Sequence, residues 1–216
     1  MTAARTNSGL RLLRFDRVQR SAHWANAILF GVLMATAIPL YFGSLFGITL
    51  ERHVVAEIHL WTGLALPVPI IISLAGPWGA QMRRDVQRMN YWTAEEVRWL
   101  KSLGRTALVA DKFNPGQKLN ATFIGATIVV MLATGSVLQW FRLFPVPWRT
   151  GATFVHDVFA LAVFVVVIGH VIMALTHRGS LSSMIRGWVS ENWAARHAAA
   201  WLQEHQEIEG SVEVEP

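Results

Sequence analysis

Four stretches of this chain carry no Asp, Glu, Lys or Arg. They lie between Arg20 and Glu51 (30 residues), Glu57 and Arg83 (25), Lys118 and Arg142 (23), and Asp157 and Arg178 (20). A helix needs about 20 apolar residues to cross a bilayer core of about 30 Å, so each stretch is long enough. Only 15% of the 216 residues are charged, against roughly 25% in an ordinary soluble domain, which excludes a soluble globular enzyme. The expected fold class is all-α: an integral membrane four-helix bundle, with short interfacial helices in the cytoplasmic loop and the C-terminal tail. Residues 1–206 are expected to form one membrane domain with spans at about 21–46, 58–82, 119–141 and 153–177. The acidic residues 207–216 are expected to be a disordered tail, too poor in apolar groups to pack. Ala35-Thr36-Ala37 resembles a leader cleavage site, but the apolar run continues beyond it and is expected to stay as a helix.

Orientation follows from the distribution of cations. Of the 19 Lys and Arg, 16 fall in the N-terminal segment, the Arg83–Lys118 loop and the tail. The positive-inside rule therefore makes both termini cytoplasmic, in a plasma (inner) membrane protein. The formal net charge of +5 is explained by this topology and calls for no nucleic acid. The absence of cysteine excludes disulfides, iron–sulfur clusters on this chain, thiolate zinc sites and covalently attached c-type haem.

The cytoplasmic segments have their own helix signals. Thr93-Ala94-Glu95-Glu96 has the form of a capping box, opening a helix to about Gly104. Ser190 is placed to cap a second helix, with Trp193, His197 and Trp201 on one face at the inner membrane surface. Trp24, Trp61, Trp78, Trp140 and Trp148 near the span ends read as interfacial anchors.

Histidines within spans are costly and therefore informative. His23 opens the first span, His59 the second, and the fourth holds His156 and His170. Fourteen residues turn a helix about 1400°, nearly four full turns, so His156 and His170 share a face about 21 Å apart. Alternating helix direction puts His23 level with His170 near the cytoplasmic side, and His59 level with His156 near the outer side. One such histidine is most simply an interhelical hydrogen-bonding group. Two level-matched pairs are what two six-coordinate b-type haems require. His23 lies only three residues from Arg20, whereas His170 is eight from Arg178, an offset that tilt or an earlier start of the first helix would absorb. Gly31, Gly63, Gly125, Gly135 and Gly169 suit close approach of helices or of a flat macrocycle. His177 reads first as structural, with a surface role or a quinone contact as the alternative. His53, His197 and His205 lie outside the expected spans and read as structural or solvated.

At these positions the chain resembles the gamma (cytochrome b) subunit of membrane-bound formate dehydrogenases, from about Phe15 to Trp201. The matching residues are Phe15-Asp16-Arg17, Ala22-His23-Trp24, Ile58-His59 with Gly63, and Phe113-Asn114-Pro115-Gly116-Gln117-Lys118. They continue through His156 and His170 to Gly179-Ser180-Leu181, Met184-Ile185, Gly187, Val189-Ser190, Trp193-Ala194, His197 and Trp201. The resemblance implies one haem held by His59 and His156 and another by His23 and His170. It further implies a quinone site, for menaquinone, at Asn114, Gly116 and Gln117 with His170 close by. Read without the resemblance, that segment is a polar turn opening a helix.

The implied partners are an iron–sulfur subunit and a molybdopterin catalytic subunit, with membrane lipid and quinone. Electrons would enter on the outer side and reduce quinone with cytoplasmic protons. A hydrogenase or another molybdenum oxidoreductase would suit the same cytochrome. A haem-free scaffold or transporter is the rival of another class, although no inverted repeat or matched broken-helix pair is visible.

Overall fold

The computed structural model describes residues 3–6, 9–43, 47 and 51–212. A short hairpin of β1 (Ala3–Thr6) and β2 (Gly9–Leu13) leads into α1 (Arg17–Phe42). Next come α2 (Arg52–Ala65), α3 (Val68–Ala75), α4 (Ala80–Asn90), α5 (Ala94–Lys101) and α6 (Pro115–Gln139). The chain closes with α7 (Val146–Thr176), α8 (Arg178–Arg186), β3 (Trp188–Ser190), α9 (Glu191–His197) and α10 (Ala199–Val212). Four helices are long and apolar enough to cross a membrane: α1, α2 continued by α3 (Arg52–Ala75), α6 and α7. The fold is an all-α membrane bundle, with a small antiparallel sheet of order β1-β2-β3 that hydropathy gave no reason to expect.

The spans begin earlier than the charge-free runs suggested. Asp16 and Gln19 explain the first. Asp16 Oδ1 accepts from the Gln19 amide at 2.8 Å, and Gln19 Oε1 accepts from the Asp16 amide at 3.0 Å, so a reciprocal box starts α1 at Arg17. Helix ends carry charge comfortably, because flanking side chains satisfy the free amides there. His59 and His156 consequently sit well inside α2 and α7 rather than opening them. Pro67, with no amide hydrogen, separates α2 from α3. The first span was expected to reach 46; α1 ends at Phe42, and residues 44–46 lie outside the described ones.

By its contacts the chain divides into two compact units. One comprises Ser21–Gly79 and Phe123–Val171 and holds most of the spanning helices. Its apolar side chains face outward: Ile28, Val129, Phe154 and Leu161 are each about two-thirds exposed, as lipid-facing residues must be.

The other comprises Met1–Arg20, Ala80–Thr122 and Ile172–Pro216. Leu12 and Val189 pair across β2 and β3 and pack with Ala194, Ala198, Leu202 and the wholly buried Trp201. Gly187, at φ +92°, ends α8, and its carbonyl accepts from the Arg14 and Phe15 amides at 2.8 and 3.1 Å. A Cβ there would lie 2.7 Å from the Phe15 carbonyl oxygen, so both the turn and the approach need glycine. Two expectations change here. Ser190 does cap α9, accepting from the Trp193 amide, but the helix breaks at Ala198, and Trp201 lies on α10 inside this core rather than on a membrane-facing stripe. The acidic tail, expected to lack structure from Glu207, is helical through Val212 because α10 is anchored by Trp201 and Leu202; residues 213–216 lie outside the described ones.

Candidate functional site

All four span histidines belong to the unit of Ser21–Gly79 and Phe123–Val171. The rings of His23 on α1 and His170 on α7 have centroids 6.2 Å apart and planes inclined at 53°. Two imidazoles on opposite sides of one metal, each bonded at about 2 Å, place their centroids about 6 Å apart. The early start of α1 removes the offset that the charge positions suggested, since His23 stands within the helix's second turn.

His59 and His156 line one cavity of about 450 Å³, a size within the range of cofactor sites. Its walls are mainly apolar, including Phe30, Leu33, Met34 and Phe164, and Arg52 is its cationic member. The Thr127 hydroxyl, buried on this wall, has no hydrogen-bond partner among the described residues. Each histidine is held at Nδ1 by a threonine, His59 by Thr36 at 2.8 Å and His156 by Thr134 at 2.9 Å. Neither threonine was singled out by the sequence, although each precedes its histidine by nearly the same interval, 23 and 22 residues.

These features fit a b-type haem: paired imidazoles, apolar walls for the macrocycle, a cation for its carboxylates and an unpaired buried hydroxyl. Gly31, Gly125 and Gly169 meet no atom within 4 Å where a Cβ would stand, so tight helix packing does not account for them. Gly135 is different, since a Cβ would come within 3.4 Å of the His156 ring. Among the described residues no group of three or more His, Cys, Asp or Glu could hold a bare metal ion.

Asn114, Gly116 and Gln117 belong to the other unit. Asn114 Oδ1 accepts from the Gln117 amide at 2.9 Å and Gln117 Oε1 accepts from the Asn114 amide at 3.0 Å. This second reciprocal box opens α6, with Pro115 in its first turn. Both side-chain oxygens are thereby committed, while both NH₂ groups make no hydrogen bond among the described residues and keep their donors. The turn is braced from below. Lys118 pairs with Glu96 at 2.7 Å and donates to the Tyr91 carbonyl at 2.8 Å, and Glu96 completes the Thr93 box that opens α5. Lys112 is buried against Asp85, which also accepts from Gln19. Burial lowers the Lys112 pKa below its ordinary value although Asp85 opposes the shift. Burial likewise brings Arg14 down to about 10; its guanidinium donates to the Lys112 carbonyl and lies 4.6 Å from the Trp193 ring.

Two of the remaining histidines meet backbone carbonyls, whereas His53 and His197 are exposed. His177 Nδ1 lies 3.0 Å from the Met173 carbonyl where α7 gives way to α8, and His205 Nδ1 lies 2.9 Å from the Trp201 carbonyl.

The family model described as prokaryotic cytochrome b561 matches residues 14–187. The chain belongs to that family. It is therefore a multi-pass membrane cytochrome b, of a family that carries b-type haem in electron transport. The chain is 26% identical to the cytochrome b556 subunit of a Haemophilus influenzae formate dehydrogenase, over 94% of its own length and 87% of the relative's. It is 25% identical to the cytochrome b556 subunit of the nitrate-inducible formate dehydrogenase of Escherichia coli, covering 94% and 96% of the two chains. Against the cytochrome b556(fdo) subunit of the same organism it is also 25% identical, covering 89% and 92%.

Proposed function

We propose that this cytochrome is the dihaem membrane subunit of a formate dehydrogenase-like complex, with His59 and His156 holding an outer haem and His23 and His170 an inner one. The 6.2 Å spacing of the His23 and His170 rings carries the reading, because it is the spacing at which two imidazoles would hold one haem between them. The relatives' names support the type of complex, and its partners would be an iron–sulfur subunit and a molybdopterin catalytic subunit. When bound, the two haems would provide one-electron carriers at two depths, linking an outer electron donor to a quinone on the cytoplasmic side. Arg52 would neutralise haem carboxylates at the outer cavity. The unused NH₂ groups of Asn114 and Gln117 would donate to a quinone oxygen, menaquinone being the expected substrate. Both termini would be cytoplasmic, since 16 of the 19 cations lie on their side.

Histidine variants test the pairing. His156→Ala should lose one haem and leave the other's reduced-minus-oxidised spectrum intact; His23→Ala should lose the complementary one. Retention of both haems in either variant would reject the ligand assignment.

A further inference from the structure

We propose that Thr36 and Thr134 are positioning residues that set the tautomer of His59 and His156 and thereby lower the reduction potential of the haem they hold. The inference rests on the ligand assignment above and extends it to residues outside that ligand set.

The number of protons available fixes the tautomer. Thr36 Oγ1 lies 2.8 Å from the Val32 carbonyl oxygen and 2.8 Å from His59 Nδ1. Thr134 Oγ1 lies 2.8 Å from the Val130 carbonyl oxygen and 2.9 Å from His156 Nδ1. A hydroxyl has one proton to give, and a carbonyl can only accept. Each threonine therefore donates back to the carbonyl four residues earlier, as helical threonines do, and presents its lone pairs to the imidazole. Nδ1 must then carry hydrogen, and in a neutral imidazole Nε2 is left with the free lone pair that an iron needs. A hydrogen bond accepted from Nδ1–H also makes the ring a stronger electron donor, which favours ferric over ferrous iron.

The device occurs twice and at one pair only. Thr36 on α1 serves His59 on α2, and Thr134 on α6 serves His156 on α7, each from the spanning helix before its histidine. His23 and His170 make ring contacts with each other, and His23 with Trp24, but neither ring has a hydrogen bond among the described residues. The threonines thus pull down the potential of one haem alone. That bias favours electron flow from the His59/His156 haem toward the His23/His170 haem.

The test is a redox titration of the full-length dihaem protein carrying Thr36→Val and Thr134→Val together, followed optically. Valine keeps the shape and removes the acceptor. The haem of His59 and His156 should titrate higher by about 59 mV, a tenfold change in its one-electron equilibrium. Its affinity should fall by about tenfold, the usual cost of losing such a partner. The other haem should be unmoved and so report an intact fold, and Thr36→Ser with Thr134→Ser should restore the original potential. Unchanged potentials in the valine variant, or equal shifts in the serine and valine variants, would overturn the proposal. Should the valine variant not fold, ¹⁵N-histidine NMR of the haem-free wild-type chain decides, with His59→Gln and His156→Gln for assignment: hydrogen on Nδ1 is expected, hydrogen on Nε2 refutes it. If His59→Ala retains both haems, the ligand assignment has failed instead.

Discussion

The unit of Met1–Arg20, Ala80–Thr122 and Ile172–Pro216 buries Arg14, Asp85, Glu96, Lys112 and Lys118, whereas among the described residues of the unit of Ser21–Gly79 and Phe123–Val171 the buried polar side chains are Ser73 and Thr127. The first behaves as a water-facing domain does. It has a small core around Trp201, and its interior charges are paired or hydrogen-bonded. The second exposes large apolar side chains along every spanning helix and encloses an apolar cavity of about 450 Å³ beside two histidines. Lipid covers such faces without any hydrophobic gain between the helices, so packing and the cofactor must supply what the charged unit obtains from its own side chains. One chain thus carries two different ways of being held together.

The contrast can be broken at Asp85. This carboxylate accepts from Lys112 and Gln19 in the interior, so Asp85→Ala leaves a buried cation without its counter-charge. Losing one partner of a buried pair costs about 3–5 kcal/mol. Denaturant unfolding in detergent, followed by tryptophan fluorescence, should show a loss of that order while the haem bands persist. Loss of both together would mean that the two units are not stabilised separately.

A smaller effect sharpens the comparison at the Asn114 turn. Asn114→Asp and Gln117→Glu keep the oxygens that cap α6 and replace each NH₂ donor by a charged carboxylate oxygen that can only accept. One lost hydrogen bond is worth about 1 kcal/mol, so quinone KM should rise about fivefold in either single variant and about thirtyfold in the double variant, with haem content unchanged. An unchanged KM in the double variant would confine the motif to helix capping.

Much of this was legible in the sequence because the bilayer writes its demands in long charge-free runs, and because a histidine inside such a run is conspicuous. Two kinds of feature were not. Helix starts that lie among charged residues escape a count of charge-free positions; Asp16-x-x-Gln19 and Asn114-x-x-Gln117 are reciprocal boxes like the one read at Thr93, yet their meaning depends on which backbone amides they meet. The threonines behind His59 and His156 were invisible because a helical threonine usually bonds its own backbone, and only the fold shows what its lone pairs face. The sheet of β1, β2 and β3 joins segments some 180 residues apart, a pairing that no local pattern announces.

The central claim is that two histidine pairs each hold a haem. The most direct test is a haem count on the purified full-length protein, combined with its reduced-minus-oxidised visible spectrum. Two b-type haems per chain are expected. A chain that takes up none after reconstitution would contradict the account, and a single haem would leave one of the two pairs without its role.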